Sequence, residues 1–299
     1  MVGLLGGTSP DRSVAILRAF WEGLGETGYG ENRNVRIEYR WALGENNRLP
    51  DLAADLVRRR VSVIATLGST PAALAAKGAT TEIPVVFQVG SDPIAAGLVM
   101  SLSRPGGNVT GVTNMNTELE PKRLELLRDL VAGAKVMALL INPTSRFITE
   151  TLSRDMQSAA RDMGIELHIV PASAEDEFEG AFVNLMQLRV SALVIAPDAL
   201  FISNAEQLGE LSLRHRIPAI TQFREFAVGG GLMAYGGSIS ATARQVGVYA
   251  GRILNGEKPR DLPVVQTAKV ELVINLNTAK TLGLTVPPAL LARADEVIE

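Results

Sequence analysis

Short, continuous apolar runs alternate along this chain with longer stretches in which apolar residues return every three or four positions. VGLLGG, from Val2 to Gly7, is a run of the first kind and suits a strand buried on both faces. SVAILRAFWEGLGETG follows with helical spacing and stops at Gly28. The alternation continues with NVRIEYRWA as strand, LPDLAADLVRRR as helix, VSVIATLG as strand, TPAALAAKGATT as helix and IPVVFQVG as strand. This order predicts a doubly wound parallel sheet.

The second half repeats the pattern. KVMALLINP (Lys135 to Pro143) reads as strand, a helix is predicted from about Thr149 to Met163, and IELHIVPA, FEGAFVNLMQLR, VSALVIAP and IPAITQF match the first-half units in order. Arg60-Val61-Ser62 corresponds to Arg189-Val190-Ser191, and Ile83-Pro84 to Ile217-Pro218. The offset of roughly 130 residues is far too long for a solenoid repeat. A duplicated α/β lobe is favoured over chance likeness between unrelated strand-helix units. Ligands bind outside the carboxyl ends of strands in open parallel sheets, so the expected site is a cleft lined by loops from both lobes.

The segments after these strands resemble one another: GGTSPD (Gly6 to Asp11), LGSTPA (Leu67 to Ala72), VGSDPI (Val89 to Ile94) and INPTS (Ile141 to Ser145). They place Thr8, Ser9, Ser69, Thr70, Ser91, Asp92, Asn142 and Thr144 beside prolines, where helices should begin. Two roles fit. Such residues cap helix N-termini, with Pro in the first turn, and several N-termini together present free N–H groups to an anion such as a carboxylate. Asp92 either caps a helix at Pro93 or binds an ammonium or hydroxyl group; Asp198, at the place equivalent to Ser69, has the same two roles open.

Only 5% of residues are aromatic, so their positions carry information. Trp41 ends the second predicted strand, Phe201 and Phe223 follow later strands, and Tyr235 sits in GGGLMAYGGS. Core packing is the ordinary role of such residues, and walls for a flat apolar ligand are the alternative at strand ends.

Composition removes whole classes of chemistry. With 299 residues, 46% of them apolar, the chain can bury a large core, and a formal charge of −3 with scattered basic residues gives no stripe for a nucleic acid. No cysteine is present, which excludes disulfides, thiolate metal sites and cysteine nucleophiles. His168 falls inside a predicted strand and His215 at a helix end between arginines, so neither suits a triad or a metal cluster. GLLGGTS lacks the dinucleotide spacing, and no cofactor is expected. No apolar run is long enough to span a bilayer, and MVGLLGG lacks the parts of a secretory signal, so a cytoplasmic protein or a mature form is expected.

NVRIEYRWALGENNRLPDLAADLVRRRV, GSTPAALAAK, SDPIAAGLV, SLSRPGGNVTGVT, KRLELLRDL, FREFAVGGGLMAYGGS, RQVGVYAGRILNGEKPRDLPV and ELVINLNTAKTLGLTVPPALLARADEVIE span essentially the whole chain. Together they resemble the ABC-transporter substrate-binding proteins related to tryptophan/tyrosine-type uptake systems. The resemblance implies a type I periplasmic-binding-protein fold: two similar doubly wound parallel-sheet lobes joined by three crossover segments. It also implies a periplasmic or lipid-anchored protein without catalysis, here in a mature form, with ABC permease subunits as partners. Candidate crossovers are Gly107 to Thr113, Gly231 to Ser238 and Leu262 to Val270, where glycines and extended segments suit hinges. The first lobe is then 1–110 plus 239–263 and the second 111–238 plus 264–299, completed by ELVINL and a C-terminal helix.

The expectation is a solute receptor that closes on a small ligand, a carboxylate such as an aromatic amino acid or aromatic acid, gripped at its charged end by first-lobe loops. The candidate ligand-binding residues are Thr8, Ser9, Trp41, Ser69, Thr70, Ser91, Asp92, Asn142, Thr144, Asp198, Phe201, Phe223 and Tyr235. The effector domain of a transcription regulator shares the fold and is the second hypothesis; a Rossmann-type enzyme is the third.

Overall fold

The computed structural model describes residues 1–267 and 270–299, with the side chains of 147 and 148 left aside. The chain divides into two compact units: Met1–Met115 with a returning segment that begins at Ile239, and Asn116–Ser238 with the C-terminal stretch.

In the first unit, β1 (Val2–Gly6), α1 (Val14–Glu26), β2 (Ile37–Trp41), α2 (Leu49–Arg58), β3 (Val63–Leu67), α3 (Thr70–Ala79), β4 (Val85–Val89) and β5 (Val109–Thr113) follow one another. In the second come α4 (Glu120–Leu130), β6 (Val136–Ile141), α5 (Arg146–Asp162), β7 (Glu166–Pro171), α6 (Phe178–Gln187), β8 (Ala192–Ile195), α7 (Ala199–Ser203), α8 (Ala205–Arg214), β9 (Ala219–Thr221), α9 (Arg224–Val228) and β10 (Met233–Gly237). The chain then returns to the first unit as α10 (Ile239–Leu254) and β11 (Val265–Gln266). It ends in the second unit with β12 (Val270–Asn275), α11 (Leu276–Thr281), α12 (Pro288–Leu291) and β13 (Glu296–Ile298).

The first sheet has the order β11-β5-β4-β3-β1-β2 and is parallel throughout; the second has the order β13-β12-β10-β9-β8-β6-β7. Reading from β2 and from β7, the first five strands occupy corresponding places, as a duplicated lobe requires. The repeated tripeptide has a structural cause. Arg60 and Arg189 each terminate a helix in the left-handed conformation, at φ 55° and 54°. Ser62 and Ser191 then donate their N–H groups to Met1 and Val136 at 2.7 and 2.8 Å, opening the third and eighth strands beside the first and sixth. Pro84 and Pro218 accept from Ile64 and Leu193 at 2.8 and 2.9 Å, so each proline enters its strand without sacrificing a ladder donor.

Strands β1, β3, β4 and β5 are buried along their whole lengths, whereas β2 and β7, at the sheet edges, are mostly half-buried or exposed. The core on one side of the first sheet joins Val2, Leu4, Phe20, Leu24, Val63 and Val86 to Val246, Tyr249 and Ala250 of α10. Glycine permits this close approach of α1 and α10: a Cβ on Gly247 would lie 2.1 Å from the Phe20 carbonyl oxygen, and one on Gly23 would lie 1.8 Å from that of Arg244.

The structure departs from the expected layout in several places. Residues 111–115 belong to the first unit, because β5 completes its pairing with β4 through Thr113; Val264 to Thr267 belong there too, because β11 pairs with β5. The expected third crossover, Leu262 to Val270, contains residues 268 and 269, which lie outside the described residues. β12 runs antiparallel to β10, so the second sheet is mixed. The expected C-terminal helix is instead the short α12, opened by Pro287-Pro288, followed by β13 paired parallel with β12.

Candidate functional site

At the carboxyl ends of the first sheet, the β1–α1 loop folds on its own hydroxyls. Thr8 Oγ1 and Ser13 Oγ lie 2.9 Å apart, Ser13 Oγ donates to the Ser9 carbonyl at 2.8 Å, and Ser9 Oγ reaches Asp11 Oδ2 at 3.4 Å. Trp41, half-buried, ends the edge strand with its ring seated on Gly6, where a Cβ would come within 2.2 Å of it. It stacks on Tyr39, centroids 6.2 Å apart and planes 8° from parallel.

Three neighbouring strand ends are joined by hydroxyls. Ser69 caps α3 by accepting from the Ala72 N–H at 3.2 Å. The hydroxyls of Thr70 and Ser91 lie 3.0 Å apart, and Thr113 Oγ1 donates to the Ser91 carbonyl at 3.0 Å. Thus Ser69, Thr70 and Ser91 are brought together at the N-terminus of α3, a favourable place for a carboxylate. Asp92 does not cap a helix: turns, not an α-helix, follow β4, and Oδ1 accepts from the Ile94 N–H at 2.8 Å. Sequence reasoning missed Asn114, which is buried and whose Oδ1 has no hydrogen-bond partner among the described residues.

In the second unit, Asn142, Thr144 and Asp198 form one network. Asp198 caps α7 by accepting from the Leu200 N–H at 2.9 Å, and its carboxylate also accepts from Asn142 Nδ2 at 2.9 Å and Ser145 Oγ at 2.5 Å. Asn142 Oδ1 accepts from the N–H and hydroxyl of Thr144 at 3.0 and 2.7 Å. Burial pushes the Asp198 carboxyl above its ordinary range, opposed by the hydrogen bonds from Ser145, Asn142 and Leu200.

Phe201 and Phe223 are both buried, and Phe201 packs 5.9 Å from the Phe178 ring. Tyr235 is half-buried on β10, and its carbonyl leads to a group that the sequence did not reveal. Arg123, fully buried on α4, donates from Nε to the Tyr235 carbonyl at 2.6 Å and from Nη1 to the Asn116 carbonyl at 3.0 Å and to Glu120. Asn116 Oδ1 in turn accepts from the Gly237 N–H at 2.9 Å. Burial pushes Glu120 up to about 7 against the pull of Arg123, and lowers Arg123 in the same way. An i, i+3 Glu/Arg pair on a helix ordinarily reads as a solvated surface pair, so no local signal marks this one as internal.

Among the described residues no group of three or more His, Asp or Glu is placed to hold a metal ion, and no helix is long and apolar enough to cross a membrane. What these strand ends offer is hydroxyls, a helix N-terminus and an aromatic face, a set suited to binding a small polar molecule with an apolar part.

Residues 5–298 match the family described as ABC transporter substrate binding protein. The chain is 27% identical over 267 residues to a tyrosine-binding protein of Clostridioides difficile, covering 89% of this chain and 76% of that one. Among solved structures, it is similar to a conserved domain protein from Vibrio cholerae, with a TM-score of 0.89, 26% identity and coverage of 99% and 98%. It is also similar to an ABC domain from Streptococcus pneumoniae in complex with L-Trp, with a TM-score of 0.86, 26% identity and full coverage of both chains.

Proposed function

This chain belongs to the ABC transporter substrate-binding protein family, and we propose that within it the protein is a periplasmic receptor that closes on an aromatic amino acid and passes it to its membrane permease. The observation that carries this reading is the match along both entire chains to a structure holding L-Trp; the tyrosine-binding relative supports the same ligand class. The residues suit such a ligand. Its carboxylate is taken by the N-terminus of α3, where Ser69, Thr70 and Ser91 meet, and its ring by the strand end that carries Trp41. Asn114 Oδ1, buried and without a partner among the described residues, is an acceptor suited to the ammonium group. The reading includes no chemical step: the candidate site's polar groups bind, and turnover of the bound amino acid is not expected.

Isothermal titration with L-tryptophan and L-tyrosine, alongside their deaminated analogues, tests this reading. Saturable binding of at least one amino acid, weaker for its deaminated analogue, is the expected result. A protein that binds neither amino acid, while mass spectrometry finds a ligand of another class co-purifying with it, would sink the reading.

A further inference from the structure

Beside Trp41 the backbone takes a costly course. Ala42 to Glu45 form a tight turn closed by the Glu45 N–H on the Ala42 carbonyl at 3.0 Å, with Leu43 at φ 57° and Gly44 at φ 87°. Positive φ at both central positions is the signature of a type I′ turn, whose first central place favours Asn, Asp or Gly. Leucine has no local hydrogen bond with which to compensate the clash of its Cβ in the left-handed region. The conformation is imposed from outside: the N–H groups of Ala42, Leu43 and Gly44 donate to the carbonyls of Gly6, Thr8 and Gly7 at 2.9, 3.1 and 2.8 Å.

Among the described residues, four of the five other non-glycine residues with positive φ have evident reasons, and the fifth, Met115 at φ 48°, is half-buried and donates its N–H to Thr113 Oγ1 at 3.1 Å. Arg60, Arg189 and Arg216 close helices, and Asn32 is of a type that tolerates the conformation. Leu43 gains nothing comparable in the fold, because its side chain is 55% exposed. Nor is it the sole apolar residue displayed there. Val14, which follows the Ser13 hydroxyl bonded to Thr8, is 63% exposed, and Trp41 is half-buried. Three apolar residues thus lie on segments hydrogen-bonded to the Gly6–Thr8 loop, one of them held in a strained backbone without burying its side chain. A strained residue whose side chain does not serve the core points to function.

We propose that Val14, Trp41 and Leu43 form the apolar subsite that receives the ligand's aromatic side chain, with Leu43 as the residue that sets its specificity. The proposal rests on the aromatic-ligand reading above and adds which residues of the first unit read the ring. It makes stability and affinity move in opposite directions. In Leu43→Asn the turn gains the residue it favours, so the thermal midpoint of the full chain rises by about 2 °C, while affinity for L-tryptophan and L-tyrosine falls about tenfold through the lost apolar contact. Leu43→Gly gives the same pair of signs without introducing a polar side chain.

A leucine that served only the fold would lose stability on substitution and leave affinity intact. Variants that bind both amino acids within twofold of wild type overturn the subsite, and a midpoint that fails to rise overturns the strain argument. If wild type binds neither amino acid, the ligand reading itself falls and the subsite loses its occupant; this outcome is recognised because it appears before any substitution is made.

Discussion

The two units hold corresponding helices by different chemistry. Helix α10 follows the fifth strand of the second sheet but packs in the first unit, and α4 follows the fifth strand of the first sheet but packs in the second. In the first unit a neutral amide anchors the start of the incoming helix: Gln88 Nε2 donates to the Ile239 carbonyl at 2.7 Å and to Thr242 Oγ1. In the second unit, Gln222 stands at the place equivalent to Gln88 and is likewise buried, yet the incoming helix brings its own buried ion pair, Glu120 and Arg123. The capping residues differ in the same sense, with a serine at 69 and a buried aspartate at 198. The topology thus fixes where an anchor is needed and leaves its chemistry open. The consequence is energetic, since a desolvated pair is held at a cost that a neutral amide avoids.

The sharpest way to break the comparison is to remove one charge. Arg123→Met leaves Glu120 buried without its cation and frees the carbonyls of Asn116 and Tyr235, so unfolding by urea should show a loss of about 3–5 kcal/mol. The double change Glu120→Leu with Arg123→Met should restore much of that loss, because a buried pair is often replaceable by apolar groups of similar volume. A double variant as unstable as the single one would show that the hydrogen bonds to the two carbonyls, not the charge balance, dominate.

The second consequence is a pH dependence located in one unit. Glu120 is raised to about 7 in the folded protein, so the fold holds its proton more tightly than the unfolded chain does. The stability linked to it is fully present below the ordinary glutamate range and is lost as pH rises through about 7. Asp198, also raised by burial, acts with the same sign. Between about pH 5 and pH 8 the loss should be about 1–3 kcal/mol in wild type and distinctly less in Glu120→Gln. Hydrogen exchange resolved by unit should show the change around α4 and β10, and an equal response around α10 and β4 would contradict the assignment.

The first unit is vulnerable to shape instead. Gly247→Ala sets a methyl group against the Phe20 carbonyl oxygen, a backbone atom that moves only with α1. Overpacking outweighs the gain in helix propensity, with a net loss of about 1–2 kcal/mol and no added pH dependence. Urea midpoints that match wild type would show that α1 and α10 can separate freely.

Much of this architecture was readable because burial leaves a periodic mark. Continuous apolar runs revealed the central strands, and the Arg-Val-Ser and Ile-Pro repeats marked a left-handed helix end and a strand entry that recur in both units. What escaped notice depends on long-range packing. The pair Glu120 and Arg123 has the spacing of a surface pair, and only the fold makes it internal. Leu43-Gly44 lacks the Asn, Asp or Gly that announces a type I′ turn at its first central position. The antiparallel course of β12 and the pairing of β13 follow from which sheet edge the returning chain meets. Among the site candidates, the hydroxyls at 69, 70 and 91 were legible as a group, whereas Phe201 and Phe223 were not separable from the core by position alone.

The smallest expected effect concerns the two strand-end carboxylates. Asp198 is buried and accepts from three partners; Asp92 is half-exposed, and its carboxylate accepts from the Ile94 N–H across a turn. An asparagine side-chain oxygen makes that bond equally well. Asp92→Asn should therefore leave stability within about 0.5 kcal/mol of wild type, and affinity for L-tryptophan unchanged, because the ammonium is assigned to Asn114 rather than to this carboxylate. The alternative has a different signature. A carboxylate paired with an ammonium in a closed, water-poor site would cost about 2–5 kcal/mol of binding when neutralised, mostly as faster dissociation. Titration of Asp92→Asn with L-tryptophan and its deaminated analogue separates the two: a selective loss of affinity for the amino acid would move the ammonium site from Asn114 to Asp92.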